Sequence, residues 1–252
     1  MRHVVRVLAV VLLTGCRSKT TAPPESSAIP PKPPEYANPS EEQRARKERS
    51  EARLRAEGVP VSAGLPVIAD KTTAKLRTKD AIVDRLFALT LVAVKGEGLE
   101  QDRVIKFQAE LGAAPLLSPE ETAFVALAAP NEHQRAKFSW RYEGVGVLHW
   151  ALGYVAKLEK PGAIVDAGLM VKLLREPGPA RYRAEAKPRS IDEILDEADL
   201  VYRYDWACVD ARVSKKAPPK GIDCEVVVER HHALNWLYGY QNQAWDDVST
   251  DT

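Results

Sequence analysis

Two serines, Ser118 and Ser190, each stand three residues ahead of a glutamate, in Ser118-Pro119-Glu120-Glu121 and Ser190-Ile191-Asp192-Glu193. A serine hydroxyl that accepts from the third backbone N–H, answered by a glutamate reaching back, marks a helix start. Pro119 fits because the first helical position has no intrahelical hydrogen bond to lose. Between such signals the apolar residues recur every three to four positions. Thr78 caps a segment over 79–95 with Ile82, Leu86, Leu89 and Ala93 among its apolar positions, and a second, over 100–111, ends at Gly112. A longer one over 132–158 carries Trp140, Val147, Trp150 and Tyr154 on one stripe and ends at Pro161-Gly162. A short helix over 167–175 precedes a break at 177–179. The Ser190 start leads to a helix reaching 213, and a last helix spans 223–241. Period-two alternation is confined to ambiguous runs such as Glu225–Glu229, and no repeat of fixed period points to a solenoid. The expected fold is all-α: one globular helical domain of about seven to nine helices over 41–252. Its first helix, 41–57, is charged throughout, with opposite charges at Glu42/Arg46 and Glu51/Arg55 and a stop at Gly58. So few apolar positions place it at the periphery.

The N-terminus reads differently. Arg2 and Arg6 precede Val7-Leu8-Ala9-Val10-Val11-Leu12-Leu13, a run far shorter than the roughly 20 residues of a bilayer span and laid out like a secretory signal. Leu13-Thr14-Gly15-Cys16 resembles the lipobox of bacterial lipoproteins, which implies a signal peptide over 1–15 and a membrane anchor through lipid on Cys16. Arg17 follows in place of Asp, which in a diderm resembling enteric bacteria favours the outer membrane, facing the periplasm. Seven of the 18 prolines fall in residues 17–40. Proline removes a backbone donor and fixes φ, so 16–40 is expected to be a lipidated Cys followed by a disordered, polyproline-like tether.

Charge narrows the partners. The chain carries 36 basic and 35 acidic side chains, well mixed, and two of the basic ones, Arg2 and Arg6, lie in the signal. Near-neutrality excludes the basic face of a nucleic-acid binder. With Cys16 assigned to lipid, Cys208 and Cys224 remain, in a compartment that favours disulfides. Three fates are open to them: a disulfide, two buried thiols, or zinc ligands with His231 or His232. The spacing lacks the close pairs of structural zinc motifs, so no metal is expected.

Candidate chemistry lies where charges interrupt apolar stripes. Arg230 has Val226, Ala233, Leu234 and Leu237 as same-face neighbours, and Glu143 has Trp140, Val147, Trp150 and Tyr154. Arg85 lies with Ile82, Ala88, Leu89 and Val92; Arg203 lies with Leu200, Trp206 and Ala207. A buried unpaired charge costs several kcal/mol, so Arg85, Glu143, Arg203, Glu229 and Arg230 are expected to form a buried polar network or line a pocket. Glu143 is expected to pair with Arg230 or Arg203. Other constellations carry little. Glu229-x-x-His232 is half of a di-iron carboxylate motif without a second copy. His149, between Leu148 and Trp150, reads as a core histidine, and Asp246-Asp247 as a solvated pair. A phosphate loop, an HExxH motif and a nucleophile elbow are all lacking, so no cofactor is expected.

Several blocks then point to a family. They are Arg46-Lys47-Glu48-Arg49-Ser50 with Leu54 and Gly58; Trp140-Arg141-Tyr142-Glu143 with Leu148-His149-Trp150-Ala151-Leu152-Gly153; and Arg189-Ser190 with Glu193-Ile194-Leu195-Asp196. Tyr202-Arg203 with Trp206-Ala207, Glu229-Arg230-His231 with Ala233-Leu234-Asn235-Trp236-Leu237, Trp245-Asp246-Asp247 and Asp251-Thr252 complete them. In this order they resemble the domain-of-unknown-function family 4272 over 44–252. The resemblance implies a helical domain and brings no activity, substrate or catalytic residue with it. The lipidated, proline-tethered front is a departure that bars transfer of cytoplasmic roles.

The sequence therefore supports a membrane-anchored, non-enzymatic module that binds an envelope protein or other envelope component, in an oligomeric state it does not fix. The alternatives are a hydrolase using a Glu143/Arg pocket on an anionic substrate, and an immunity-type protein.

Overall fold

A computed structural model describes residues 38–252, all within one compact unit. The signal expected over 1–15, Cys16 and most of the proline-rich stretch lie outside the described residues. The described residues hold helices and no strand: α1 (Glu41–Ala56), α2 (Lys79–Gly96), α3 (Gln101–Leu111), α4 (Pro119–Ala126), α5 (Glu132–Ser139), α6 (Arg141–Ala151), α7 (Ala167–Arg175), α8 (Pro179–Glu185), α9 (Ile191–Val213) and α10 (Cys224–Tyr238). Short 3₁₀ turns lie at Ala114–Leu116, Tyr240–Asn242 and Trp245–Asp247. The all-α expectation holds, and the count reaches nine if α5 and α6 are taken as one rod bent at Trp140.

The start signals act as their chemistry requires. Ser118 and Ser190 both form complete capping boxes with Glu121 and Glu193, and Thr78 caps α2. Helix α2 is buried nearly all round, through Ile82, Val83, Leu86, Phe87, Leu89, Leu91 and Val92, as a central helix must be. Helices α5 and α6 flank it, α10 packs between α6 and α9, and α1 lies along α9. Gly96 allows the α2–α5 contact, since a Cβ there would fall 2.5 Å from the Ser139 backbone nitrogen. Cys208 of α9 and Cys224 of α10 are joined as a disulfide, which closes the zinc and free-thiol alternatives.

Three expectations need correction. The helix expected over 132–158 is two, and the second stops at Ala151. The stop is Gly153, at φ +83° and so close to the Lys187 carbonyl that a Cβ would clash at 2.7 Å. Tyr154, expected on the helical stripe, instead stacks on Tyr182 with ring centres 4.0 Å apart. The break at 177–179 is followed by a further short helix, α8, with Pro179 at its first position. The third concerns α1, which is not peripheral. Leu54 is fully buried, and Gln43, Arg46, Ser50 and Glu51 are buried polar groups. Its charged face is an interface: Lys47 donates to the carbonyls of Ala63 and Leu65, Gln43 to that of Ile68, and Arg46 to Asp196 of α9.

Candidate functional site

The charges predicted on apolar stripes are buried, but they do not form one network. Glu143, in the first turn of α6, is 2% exposed. Its Oε2 accepts from Arg230 Nε of α10 at 3.1 Å, and its Oε1 from the Val165 backbone N–H at 2.7 Å. Gly146 makes the second bond accessible, because a Cβ there would press to 3.0 Å on the Val165 side chain. Arg230 also donates to the Glu159 carbonyl at 2.7 Å. Burial still raises the Glu143 pKa against the opposing pull of Val165 and Arg230. Glu143 therefore joins helices and has no free acceptor facing a pocket.

The other predicted residues are paired elsewhere. Glu229 accepts from Arg141 at 2.8 Å, a second link between α6 and α10. Arg203 is held by Asp199 on its own helix through two bonds of 2.9 and 2.7 Å, not by Glu143. Arg85 reaches Glu121 of α4 and lies over the Trp245 ring, 5.1 Å from its centre. Burial lowers the Arg85 pKa, opposed by Glu121. The Arg85 and Arg203 pairs are nearly inaccessible to solvent, and the Arg141–Glu229 pair is partly exposed.

The histidines divide in the same way. His149, fully buried, lies 3.0 Å from the Met170 carbonyl through Nε2 and 2.8 Å from the Tyr182 hydroxyl through Nδ1. A carbonyl only accepts, so Nε2 carries the proton and Nδ1 accepts from Tyr182. Burial pulls the His149 pKa down to about 4. His231 Nδ1 lies 2.7 Å from Asp205 on α9, in a crevice of about 30 Å³, room for little more than one water. His232 bonds the Trp245 carbonyl, and among the described residues no group of three acidic, Cys or His side chains is placed to hold a metal.

A wetter arrangement lies on the opposite side of α9. Arg46, Arg49, Ser50 and Arg53 of α1 face Arg189, Glu193, Asp196 and Glu197 across a cleft of about 330 Å³ floored by Trp150 and Leu200. Helical spacing produces this wall: positions 46, 49, 50 and 53 share one face. Arg189 is fully engaged, stacked over Trp150 at 4.9 Å, bonded to Glu193 at 2.7 Å and to the carbonyls of Trp150, Val155 and Ala156. Asp196 Oδ1 accepts from Arg46 Nε at 2.9 Å and Arg49 Nη2 at 2.7 Å. Arg53 Nε meets Glu57 at 3.0 Å.

What remains after these bonds defines the site. Arg46 is 2% exposed: its Nη2 donates to Glu42 at 2.6 Å, and its Nη1, without a hydrogen-bond partner among the described residues, is out of reach of solvent and so of a ligand in the cleft. Arg49 and Arg53 keep further N–H groups in solvent. Glu197 is half-buried and accepts no hydrogen bond from the described residues; burial raises its pKa, opposed by the charges of Arg53, Arg230 and Arg189. The sequence reading missed Glu197. The signal was present, because Glu197 sits on α9 beside Ile194, Leu200 and Val201, a charge on an apolar stripe like the four that were singled out.

An all-helical domain with buried interhelical ion pairs and an open, arginine-lined cleft between α1 and α9 is thus the class that fold and site define. The chain belongs to the family described as Domain of unknown function (DUF4272), whose model matches residues 46–248. That range takes in α2 to α10 and all of α1 from Arg46 onward. No curated protein and no solved structure matches it.

Proposed function

We propose that this chain is a lipid-anchored, non-enzymatic binding module of the bacterial cell envelope that captures an anionic group of its partner in the α1–α9 cleft. The observation that carries the reading is the pair of half-engaged guanidinium groups on the cleft's α1 wall, Arg49 and Arg53, each bonded to a carboxylate yet 59% and 44% exposed. Guanidinium forks match the oxygens of carboxylates and phosphates, and donors held by Asp196 and Glu57 need little further ordering. The lipobox-like Leu13-Thr14-Gly15-Cys16 supports the anchor, and the Cys208–Cys224 disulfide suits an oxidising compartment. Glu143, around which an enzymatic reading would turn, faces Arg230 and Val165 rather than a cleft.

The test combines both halves. Membrane fractions are prepared from cells carrying the wild type, Cys16→Ala and Arg49→Glu/Arg53→Glu, and the captured partners are compared. Cys16→Ala is expected to release the protein from the membrane, and the double charge reversal to abolish capture while leaving anchoring intact. Membrane association unchanged by Cys16→Ala would sink the anchor, and capture unchanged by the reversal would sink the cleft. One observation favours a second reading, a hydrolase acting on an anionic substrate: Glu197, unlike Glu143, lines the α1–α9 cleft, and it is the carboxyl there that accepts no hydrogen bond from the described residues. Turnover of a captured partner by the wild type and its loss in Glu197→Gln would decide for that reading.

A further inference from the structure

We infer that the Cys208–Cys224 disulfide is a thiol-exchange site as well as a staple: a small thiol bearing carboxylates reduces it while the domain stays folded, and Cys224 is the sulfur attacked. The bond is not shut in the core. Both cysteines line a cleft of about 490 Å³ together with Arg212, Lys216 and Pro218, whereas the crevice beside His231 measures about 30 Å³. Access differs at the two ends of the bond. Cys208 is 7% exposed, but Cys224, the first residue of α10, is only partly buried. Disulfides that a thiolate can reach are the labile ones, and the reachable sulfur is the one attacked. The incoming thiolate bonds to Cys224 Sγ, and the S–S electron pair leaves on Cys208 Sγ, which takes from solvent the proton the thiol gave up. A second thiolate then attacks the sulfur of the first thiol and releases Cys224. Two electrons pass to the chain, and the two small thiols leave as one disulfide.

The fold has other ties at this place. Helices α9 and α10 pack against each other, Val226 and Val227 are fully buried, and Asp205, one turn before Cys208, lies 2.7 Å from His231. The segment that the disulfide closes is different: residues 212–221 are exposed apart from Pro219. Reduction therefore loosens an exposed loop and leaves the core packed. That loop also selects the thiol. Arg212, Lys215, Lys216 and Lys220 lie on it, and their side chains have no partner among the described residues. Of the acids lining the cleft, Asp205 is already bonded to His231, and Glu225 is exposed. A carboxylate-bearing thiol thus meets net attraction, and an ammonium-bearing one net repulsion.

The experiment is reduction of the Cys16→Ala chain in detergent, where Cys208 and Cys224 are the only cysteines. Glutathione, which bears carboxylates, and cysteamine, which bears an ammonium, are each supplied in excess at matched thiolate concentration. Free thiols are read by alkylation and mass spectrometry, and helix content by circular dichroism on the same samples. Glutathione is expected to reduce the folded chain at a rate within about tenfold of that in urea, with helix content unchanged. Cysteamine is expected to be at least about threefold slower than glutathione at low salt, with the gap closing as salt is added. Arg212→Glu/Lys216→Glu should reverse the order of the two thiols. Offered oxidised glutathione, Cys208→Ser, which keeps Cys224, should form the mixed disulfide faster than Cys224→Ser; circular dichroism and thermal melts establish that each variant is folded. Reduction of the wild-type bond more than about tenfold slower in the folded chain than in urea, or accompanied by loss of helix, makes it a staple only and overturns the inference. Equal rates for the two thiols overturn the choice of a carboxylate-bearing partner, and faster capture by Cys224→Ser overturns the choice of sulfur. All of these outcomes leave the anion-binding reading of the α1–α9 cleft untouched.

Discussion

Arg230 with Glu143 and Arg49 with Asp196 are the same chemical pair, a guanidinium and a carboxylate joining two helices, yet they do different work. The first pair is nearly inaccessible, at 5% and 2% side-chain exposure, and its spare oxygen goes to the Val165 backbone. The second is 59% and 46% exposed and shares its carboxylate with Arg46. In the dry pair every bond made is needed to offset desolvation, so nothing is left to offer a ligand. In the cleft, water keeps the groups solvated when the site is empty, and their spare donors are available. Sequence position alone does not separate the two cases, and solvent access does.

The largest expected effect tests the dry side. Glu143→Ala or Arg230→Ala leaves the other charge buried without its partner and should cost about 3–5 kcal/mol in urea unfolding. Replacing both with apolar residues of similar size should recover most of that loss; if it does not, the pair does more than join α6 to α10. Next comes the disulfide. Removing it with Cys208→Ala/Cys224→Ala frees a loop 16 residues long and should cost roughly 3 kcal/mol, read as a lower melting temperature under non-reducing conditions.

Acid should attack the dry side through its histidines. His149 and His232 are both held near 4 by burial, against 6.5 in the unfolded chain. Between those values the unfolded chain binds more protons than the folded one, so each contributes a fall in stability as pH drops from 6.5 towards 4, and none above 6.5. For His149 the loss is on the order of 2–3 kcal/mol at pH 4. Unfolding free energies that stay level across this range would show that these rings are wetter than the structure has them. A smaller effect, about 1 kcal/mol, is expected from Ser190→Ala, which removes the hydroxyl of a capping box on the cleft's α9 wall. Least of all, Arg49→Ala should change stability by under about 0.5 kcal/mol, because exposed ion pairs contribute little, while still weakening anion binding. A large stability loss from Arg49→Ala would erase the distinction between the two pairs.

The all-α architecture and most helix starts were legible because caps and apolar period are local properties of the chain. Thr78, Ser118 and Ser190 start helices for reasons contained in three or four residues. Arg85, Glu143, Arg203 and Arg230 were recognisable as buried charges, since the neighbours that exclude water from them lie on their own helices. Glu143 meets Arg230, one of the two partners expected for it, but the partners of Arg85 and Arg203 were not legible. Arg203 turns to Asp199 four residues away, and Arg85 to Glu121 across a helix pair. Helix α1 was misread because its buried face is polar: Arg46, Ser50 and Glu51 are covered by α9 and the loop after α1, which hydrophobic periodicity does not detect.

The sequence by itself thus determined the helical class and the residues whose charges must be compensated, because backbone capping and desolvation follow from local composition. It also left Cys208 and Cys224 as the pair to examine. Only the tertiary structure joined them as a disulfide, sealed Glu143 against Arg230, and opened a cleft where Arg49, Arg53 and Glu197 face one another. The physical reason is that whether a charge is a tie or a binding group depends on its distance from water, and that is set by how helices far apart in the chain pack together.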